Sequence, residues 1–178
     1  MQAIYFIFNT LLSLLVVAFL LRAVMPLVRA DFRNPFGEAV LKLTNPLVLP
    51  LRRIVPPKRR FDPASFIALL LVQLIKTTVL GLVLGWPLRV DTILLGGLYD
   101  LLITVIQFYV FAVVIYALLS WFSGASYNPI AKILARVCEP LLSPVRRVIP
   151  PLGGLDLSAL FVIIALQALL ILLRTHGP

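Results

Sequence analysis

The chain has 178 residues, of which 61% are hydrophobic, and its mean hydropathy is +1.06. Soluble globular domains use roughly 45–50% apolar residues, so a water-soluble core could not absorb this much apolar surface. The formal charge of +9 lies mostly in loops between apolar stretches, which indicates membrane topology and anionic lipid rather than a nucleic-acid partner. The single cysteine, Cys138, has no His or Cys at ligand spacing, so we expect neither a metal site nor a cofactor.

Four apolar stretches are long enough to cross a bilayer, which takes about 20 helical residues. They are residues 3–25, 64–86, 92–122 and 157–173. No small-residue cleavage motif follows the first stretch, so we expect it to remain as a span. Arg22, near the end of that span, is expected to snorkel towards the interface. Asp156 is expected to cap the N-terminus of the fourth span.

The positive charges predict the topology. Eight Lys and Arg residues lie between the first and second spans and four between the third and fourth, whereas the second connection carries only Arg89, offset by Asp91. By the positive-inside rule, both long connections are expected in the cytoplasm and both termini on the outer side.

The sequence contains an internal repeat. A shift of 94 residues aligns the two halves without a gap. It matches Asn34-Pro35 with Asn128-Pro129, Arg52-Arg53 with Arg146-Arg147, Asp62 with Asp156 and Gln73 with Gln167. We interpret the chain as a duplication, with residues 1–87 and 88–178 as units of two spans each. An even number of spans gives both units one orientation, so they form parallel repeats about an axis along the membrane normal.

Each long connection is predicted to begin with an interfacial amphipathic helix. Asn34 and Asn128 are favoured N-caps, and each is followed by a proline suited to the first helical position. The predicted apolar faces are Phe36, Ala39, Val40 and Leu43 in the first unit, and Ile130, Ile133, Leu134 and Val137 in the second.

Prolines then surround an arginine pair in each unit. They are Pro46, Pro50, Pro56 and Pro57 in the first unit, and Pro140, Pro144, Pro150 and Pro151 in the second. Because proline interrupts helices, we predict a stiff elbow in each connection. The pairs Arg52-Arg53 and Arg146-Arg147 are expected at lipid headgroups. They serve either as topology anchors alone or as a shaped site for anionic lipid or an acidic protein partner.

Two ionisable residues lie deep inside spans. Lys76 and Asp100 are each twelve residues from Leu88, so an antiparallel hairpin places them at one depth, and we predict that they form an ion pair. Gln73 joins Lys76 on the second span, while Thr104 and Gln107 follow Asp100 at helical spacing. The stripes predict either an ion or proton pathway or a structural pair that fixes register.

The two repeat-equivalent glutamines have a separate prediction. Gln73 and Gln167 are expected at matching depth in their units, where they would hold helices together by hydrogen bonds across the symmetry axis.

The loop motifs carry a family resemblance. Asn-Pro is followed by Pro-Leu-x-x-Pro-x-Arg-Arg, two hydrophobic residues and Pro-Pro in both units, and by Gly-Gly-x-Asp-x-Ser at 153–158 in the second. This pattern resembles the YggT (YlmG) family, although the first unit has Lys58-Arg-Arg-Phe-Asp62 in place of the Gly-Gly form. The resemblance implies a two-repeat, multi-pass protein of the bacterial inner membrane without enzymatic activity.

Two functional hypotheses follow for this all-α membrane protein. The resemblance implies a role in osmotic-shock tolerance and ion homeostasis, with potassium as one candidate ion. The alternative is a scaffold for cell division or envelope organisation, in which the cytoplasmic loops bind anionic lipid or protein partners. The seven acidic residues are scattered and form no nucleophile–base pair at readable spacing, which argues against an enzyme. Homo-oligomer formation is left open.

Overall fold

The computed structural model describes residues 2–30, 33–58, 61–122, 129–148 and 156–176, with positions 121, 122 and 129 described by backbone alone. These residues form helices α1 (Gln2–Leu27), α2 (Pro35–Ile54), α3 (Pro63–Leu84), α4 (Val90–Phe122), α5 (Pro129–Val148) and α6 (Leu157–His176). Among them, α1, α3, α4 and α6 are long and apolar enough to cross a membrane. The predicted all-α fold with four spans is confirmed.

The helices follow the same order twice: a span, a loop helix and a second span. α1 packs against α3 and α4 packs against α6, while α3 and α4 form the hairpin that joins the two halves. α3 ends at Gly85, whose left-handed φ of 71° lets the chain turn back within five residues before α4 begins. We call the end of the bundle at residues 85–89 the turn end, and the end carrying α2 and α5 the loop end.

Both loop helices continue through prolines that were predicted to break them. Pro46 and Pro50 lie inside α2, and Pro140 and Pro144 lie inside α5, so the prediction of an elbow at these four positions is wrong. The prolines of each helix are four residues apart and exposed, so the carbonyls that lose an N–H donor face outward, where water or lipid headgroups can bind them. The hydrogen bonds on the buried side of each helix are retained.

The remaining prolines of the predicted elbows lie beyond the helices. Pro56 and Pro57 are exposed and follow Val55, which caps the C-terminus of α2. Pro150 and Pro151 lie outside the described residues. The proline-stiffened segment of the first connection is therefore limited to Pro56 and Pro57, which follow the C-cap of α2.

The buried face of α2 differs from the predicted one. Val40 is buried as expected, but Phe36, Ala39 and Leu43 are exposed. The buried positions are Gly37, Val40, Thr44 and Val48. A glycine and a threonine on this face allow α2 to approach α1 closely. In α5, Ile133 and Val137 are buried as expected, whereas Ile130 is exposed.

The N-cap predictions are confirmed where the structure describes them. The Asn34 side chain accepts a hydrogen bond of 2.9 Å from the Gly37 N–H, and Asp156 Oδ1 accepts one of 3.1 Å from the Ser158 N–H. Asn128 lies outside the described residues. The placement of α2 and α5 in the membrane interface stays a prediction.

The continuous helices make a prediction about the prolines. Pro46→Ala should leave α2 helical and raise the free energy of unfolding in detergent by about 1 kcal/mol, because the new N–H can bond the carbonyl of Lys42. The control Val48→Ala, at a fully buried position, should lower that free energy by about 2 kcal/mol. Circular dichroism during denaturation measures both changes in stability. A marked loss of stability in Pro46→Ala would contradict the continuous helix and favour the elbow predicted from the sequence.

Candidate functional site

Lys76 and Asp100 face each other within the membrane-spanning bundle without forming a direct ion pair. Lys76 on α3 is only 7% exposed and Asp100 on α4 is half-buried. Their charges attract each other. Within the described residues, however, no carboxylate oxygen lies within 4.0 Å of the Lys76 amine. The predicted partners therefore share a site but keep their charges apart.

A cavity of about 460 Å³ lies between α1, α3 and α4 at this level. Its polar lining includes Lys76, Asp100, Thr104 and Gln107, as the predicted stripes required. α1 adds three polar residues that the sequence reasoning missed. These are Tyr5, Asn9 and Ser13. The spacing of Asn9 and Ser13, four residues apart in a mostly apolar span, was the available signal.

A second cavity of about 510 Å³ lies at the turn end between α3 and α4. It is lined by Trp86, Asp91 and Thr92 near the turn, and it shares Tyr5, Leu80 and Asp100 with the first cavity. The two cavities thus meet at a carboxylate. Lys76 lines only the first of the two, and Asp100 lines both.

The two predicted glutamines have different surroundings. Gln73 is 1% exposed, and its amide nitrogen donates a long hydrogen bond of 3.5 Å to Thr77 Oγ1, while its side-chain carbonyl oxygen has no partner among the described residues. Gln167 is exposed on α6. The hydrogen bond predicted between the units is not present among the described residues. The physical reason is that α3 packs between α1 and α4, whereas α6 packs chiefly against α4 and α5.

Each unit contains a partly buried link from its loop helix to the start of its second span. Arg52 donates to Asp62 Oδ2 from Nη2 at 2.6 Å and from Nε at 3.1 Å, and Ser65 Oγ donates to the same oxygen at 2.6 Å. In the second unit, Arg146 binds Asp156 in the same two-nitrogen manner. We call these the arginine clamps, and the shift of 94 residues superposes one on the other.

The clamps change the acidity of their aspartates. Burial alone would raise the pKa of Asp62 and Asp156, but the hydrogen bonds from arginine and serine outweigh it and hold each pKa below its ordinary value. Arg146 is further bound by the Tyr116 hydroxyl at 2.9 Å and by Glu139 at 3.1 Å. The charged form of each aspartate therefore stabilises the folded chain.

The clamps also divide each arginine pair. Arg52 and Arg146 bind aspartates inside the protein, whereas Arg53 and Arg147 are exposed. The first arginine of each pair is thus engaged within the protein but stays partly exposed, and the placement of both pairs at lipid headgroups stays a prediction.

Arg22 does not snorkel as expected. It is 1% exposed, and its Nη1 donates to Asn45 Oδ1 at 2.7 Å and to Thr44 Oγ1 at 2.8 Å on α2. Guanidinium is planar and carries five N–H donors, so polar atoms on a neighbouring helix can bind its Nη1, while Nε has no partner among the described residues. The residue equivalent to Arg22 in the second unit is Tyr116. Its hydroxyl accepts a hydrogen bond from Arg146, the clamp arginine of that unit.

Comparisons with known proteins place the chain in a family. The family model described as CCB3/YggT matches residues 1–83 and 95–176. The chain belongs to the CCB3/YggT family. Its relatives include an uncharacterized protein of Pseudomonas aeruginosa, 37% identical over 93% of this chain and 85% of that protein. The uncharacterized protein YggT of Escherichia coli is 32% identical over 95% of this chain and 88% of its own length. No solved structure matches.

The clamp chemistry makes a pH prediction for this CCB3/YggT chain. A carboxyl whose pKa is lowered on folding stabilises the protein above its unfolded pKa, near 3.8, and that stability is lost as pH falls through the folded value. Asp156→Asn should lower the unfolding free energy at pH 7 by about 2 kcal/mol and should flatten the decline below pH 4. Thermal unfolding between pH 7 and pH 3 measures both effects. Glu38→Gln, on the exposed side of α2, is the control and should keep the wild-type profile.

Proposed function

We propose that the chain is a non-enzymatic protein of the bacterial inner membrane that acts in osmotic-shock tolerance and ion homeostasis. In this proposal a small cation or a proton moves to or through the cavity between α1, α3 and α4. The observation that carries it is the separation of Lys76 from Asp100 inside a shared cavity. Potassium is the first candidate ion.

The energetics of buried charge support this proposal over a purely structural pair. Each charge at the centre of a span costs about 2.5–3.5 kcal/mol on insertion scales. A structural pair would recover part of that cost by direct contact, yet the two charges remain apart beside hydroxyl and amide groups. A separated carboxylate next to an open volume can accept a cation or a proton, which is what a pathway requires.

The proposed orientation gives the route a direction. If the basic loop end faces the cytoplasm, both termini and the turn end are periplasmic, and the second cavity leads from the periplasm to Asp100. Towards the loop end, buried apolar residues of α1 and α3, including Val16, Phe19 and Val72, pack together. Passage to the cytoplasm would therefore require these helices to separate, so transport in this proposal is gated.

Ion flux into liposomes containing the purified protein tests the proposal. Vesicles that report internal potassium or pH should show flux above empty vesicles with the wild type. Asp100→Asn should reduce that flux about tenfold or more, because an uncharged amide stabilises a cation far less than a carboxylate does. A tenfold reduction corresponds to about 1.4 kcal/mol. Lys76→Gln should alter the rate as well.

Two exposed residues provide matched controls. Lys132→Gln on α5 and Glu38→Gln on α2 remove equivalent charges outside the cavity and should leave flux unchanged. Wild-type flux no greater than that of empty vesicles, or equal flux in Asp100→Asn and Glu38→Gln, would remove the basis of the proposal.

The exposed basic residues of α2 and α5 favour a second candidate function. Arg53 and Arg147 extend from the ends of these helices, and within the described residues no carboxylate lies within 4.0 Å of either. Such a surface could bind anionic phospholipid headgroups or an acidic segment of a division or envelope protein. In this scaffold function the loops carry the activity and the cavity is incidental.

Retention of anionic phospholipid tests the scaffold candidate. Arg53→Ala combined with Arg147→Ala should lower the amount of phosphatidylglycerol or cardiolipin that remains bound through detergent purification, measured by mass spectrometry. Arg174→Ala, which removes an exposed charge at the opposite end of the bundle, should not change it. Equal lipid in all three proteins would count against headgroup binding by the exposed arginines.

A further inference from the structure

α6 exposes a polar residue at the middle of its span. Gln167 lies ten residues into a helix that runs from Leu157 to His176, and its side chain is exposed. Its repeat equivalent, Gln73, is 1% exposed. An amide facing hydrocarbon is unfavourable, because lipid chains offer no hydrogen-bond partner. A contact that covers Gln73 is therefore missing at Gln167.

The repeat identifies that missing contact. α3 packs on α1 within its own unit and on α4 of the next unit, whereas α6 packs on α4 within its own unit and, among the described residues, on no second helix equivalent to α4. The repeat equivalent of α4 is α1. The contact of α3 with α4 would therefore be repeated if an α1 helix packed against α6. A second copy of the chain provides such an α1 helix.

The exposed surface of α1 fits this arrangement. Gly97, Asp100 and Thr104 on α4 lie along its contact with α3, and their repeat equivalents are Ala3, Phe6 and Thr10. All three equivalents are exposed. A span that already packs on α3 and α2 thus keeps a second, uncovered face in the position that the repeat predicts for a neighbour.

The depths of two exposed polar residues, Gln167 on α6 and Thr10 on α1, agree with this arrangement. Gln73 and Thr104 lie 15 and 16 residues from Leu88, so they occupy nearly the same depth in the α3–α4 hairpin. The corresponding residues in an α6–α1 contact are Gln167 and Thr10. Both are polar and exposed within apolar spans, and the repeat brings them to one level, where they can hydrogen-bond to each other.

Helix packing is sterically possible at the same place. A Cβ atom on Gly97 would lie 2.9 Å from Leu74 Cδ2, so α3 and α4 approach closely there. The equivalent residues are Ala3 and Ala168, which replace a glycine and leucine with two small side chains. α1 and α6 would also run antiparallel, as α3 and α4 do, with both copies in the same membrane orientation.

We propose that this protein self-associates head to tail, with α6 of one copy packed against α1 of a second copy in the geometry of its own α3–α4 hairpin. The contact is heterologous: two different surfaces meet, and the assembly is complete only when the ring closes. It requires no transport activity, and it is independent of the proposed function.

Disulfide cross-linking in native membranes tests the proposal. Ala3→Cys and Ala168→Cys are placed in separate chains with different affinity tags, both in a Cys138→Ala background, and the chains are co-expressed. Mild oxidation should yield a dimer that carries both tags. Because the two cysteines are on different chains, a bond within one chain cannot produce that species.

The controls separate this geometry from other associations. Leu169→Cys lies at nearly the depth of Ala168 but about 100° around the helix, so with Ala3→Cys it should yield far less of the doubly tagged dimer. A dimer formed equally well by Ala168→Cys alone would show a symmetric contact between two α6 helices and would overturn the proposal. The absence of any doubly tagged dimer above the cysteine-free background would overturn it too.

Discussion

The arginine clamps are the constraint on which each unit depends. A loop helix that leaves one span and returns to the next has no continuous backbone ladder to fix its angle. Arg52 and Asp62 provide a charge-assisted, two-nitrogen link between the last turn of α2 and the first turn of α3. The same link joins α5 to α6. Because two guanidinium nitrogens donate to one carboxylate oxygen, the contact is directional as well as charge-assisted, and it fixes where the second span begins relative to the loop helix.

The clamps and the intramembrane charges illustrate two uses of ionic groups in one chain. Near the loop end, opposite charges are in contact and are further bound by hydroxyl groups, which favours a fixed structure. In the middle of the bundle, Lys76 and Asp100 attract each other across a cavity without contact. If both sets of charges served only to fix the register of the helices, direct ion pairs would suffice at both places. This difference is the main structural reason to interpret the arginine clamps as architecture and the cavity with Lys76 and Asp100 as the candidate functional site.

The sequence predicted the spans well and the loops less well. Span length and hydropathy depend on the bilayer alone, so four helices, the capping residues Asn34 and Asp156, and the shared depth of Lys76 and Asp100 could all be read from spacing. The continuity of α2 through Pro46 and Pro50 could not, because helix propensity does not show that both lost donors lie on the exposed side. Likewise, a lone arginine in a span does not reveal that Thr44 and Asn45 of another helix lie within reach, so Arg22 was missed.

The internal repeat separates the clamp residues from the intramembrane charges. The clamp residues recur because each unit must solve the same folding problem, and the shift of 94 residues preserves them. Lys76 and Asp100 correspond to Leu170 and Phe6, so the pair belongs to the contact between α3 and α4, which is the largest contact between the two halves. The exposed surfaces of α6 and α1 are apolar along most of each span, and Gln167 and Thr10 are the polar residues near matching levels within them. An amide that faced only lipid would lack a hydrogen-bond partner, whereas one that met another helix could find one.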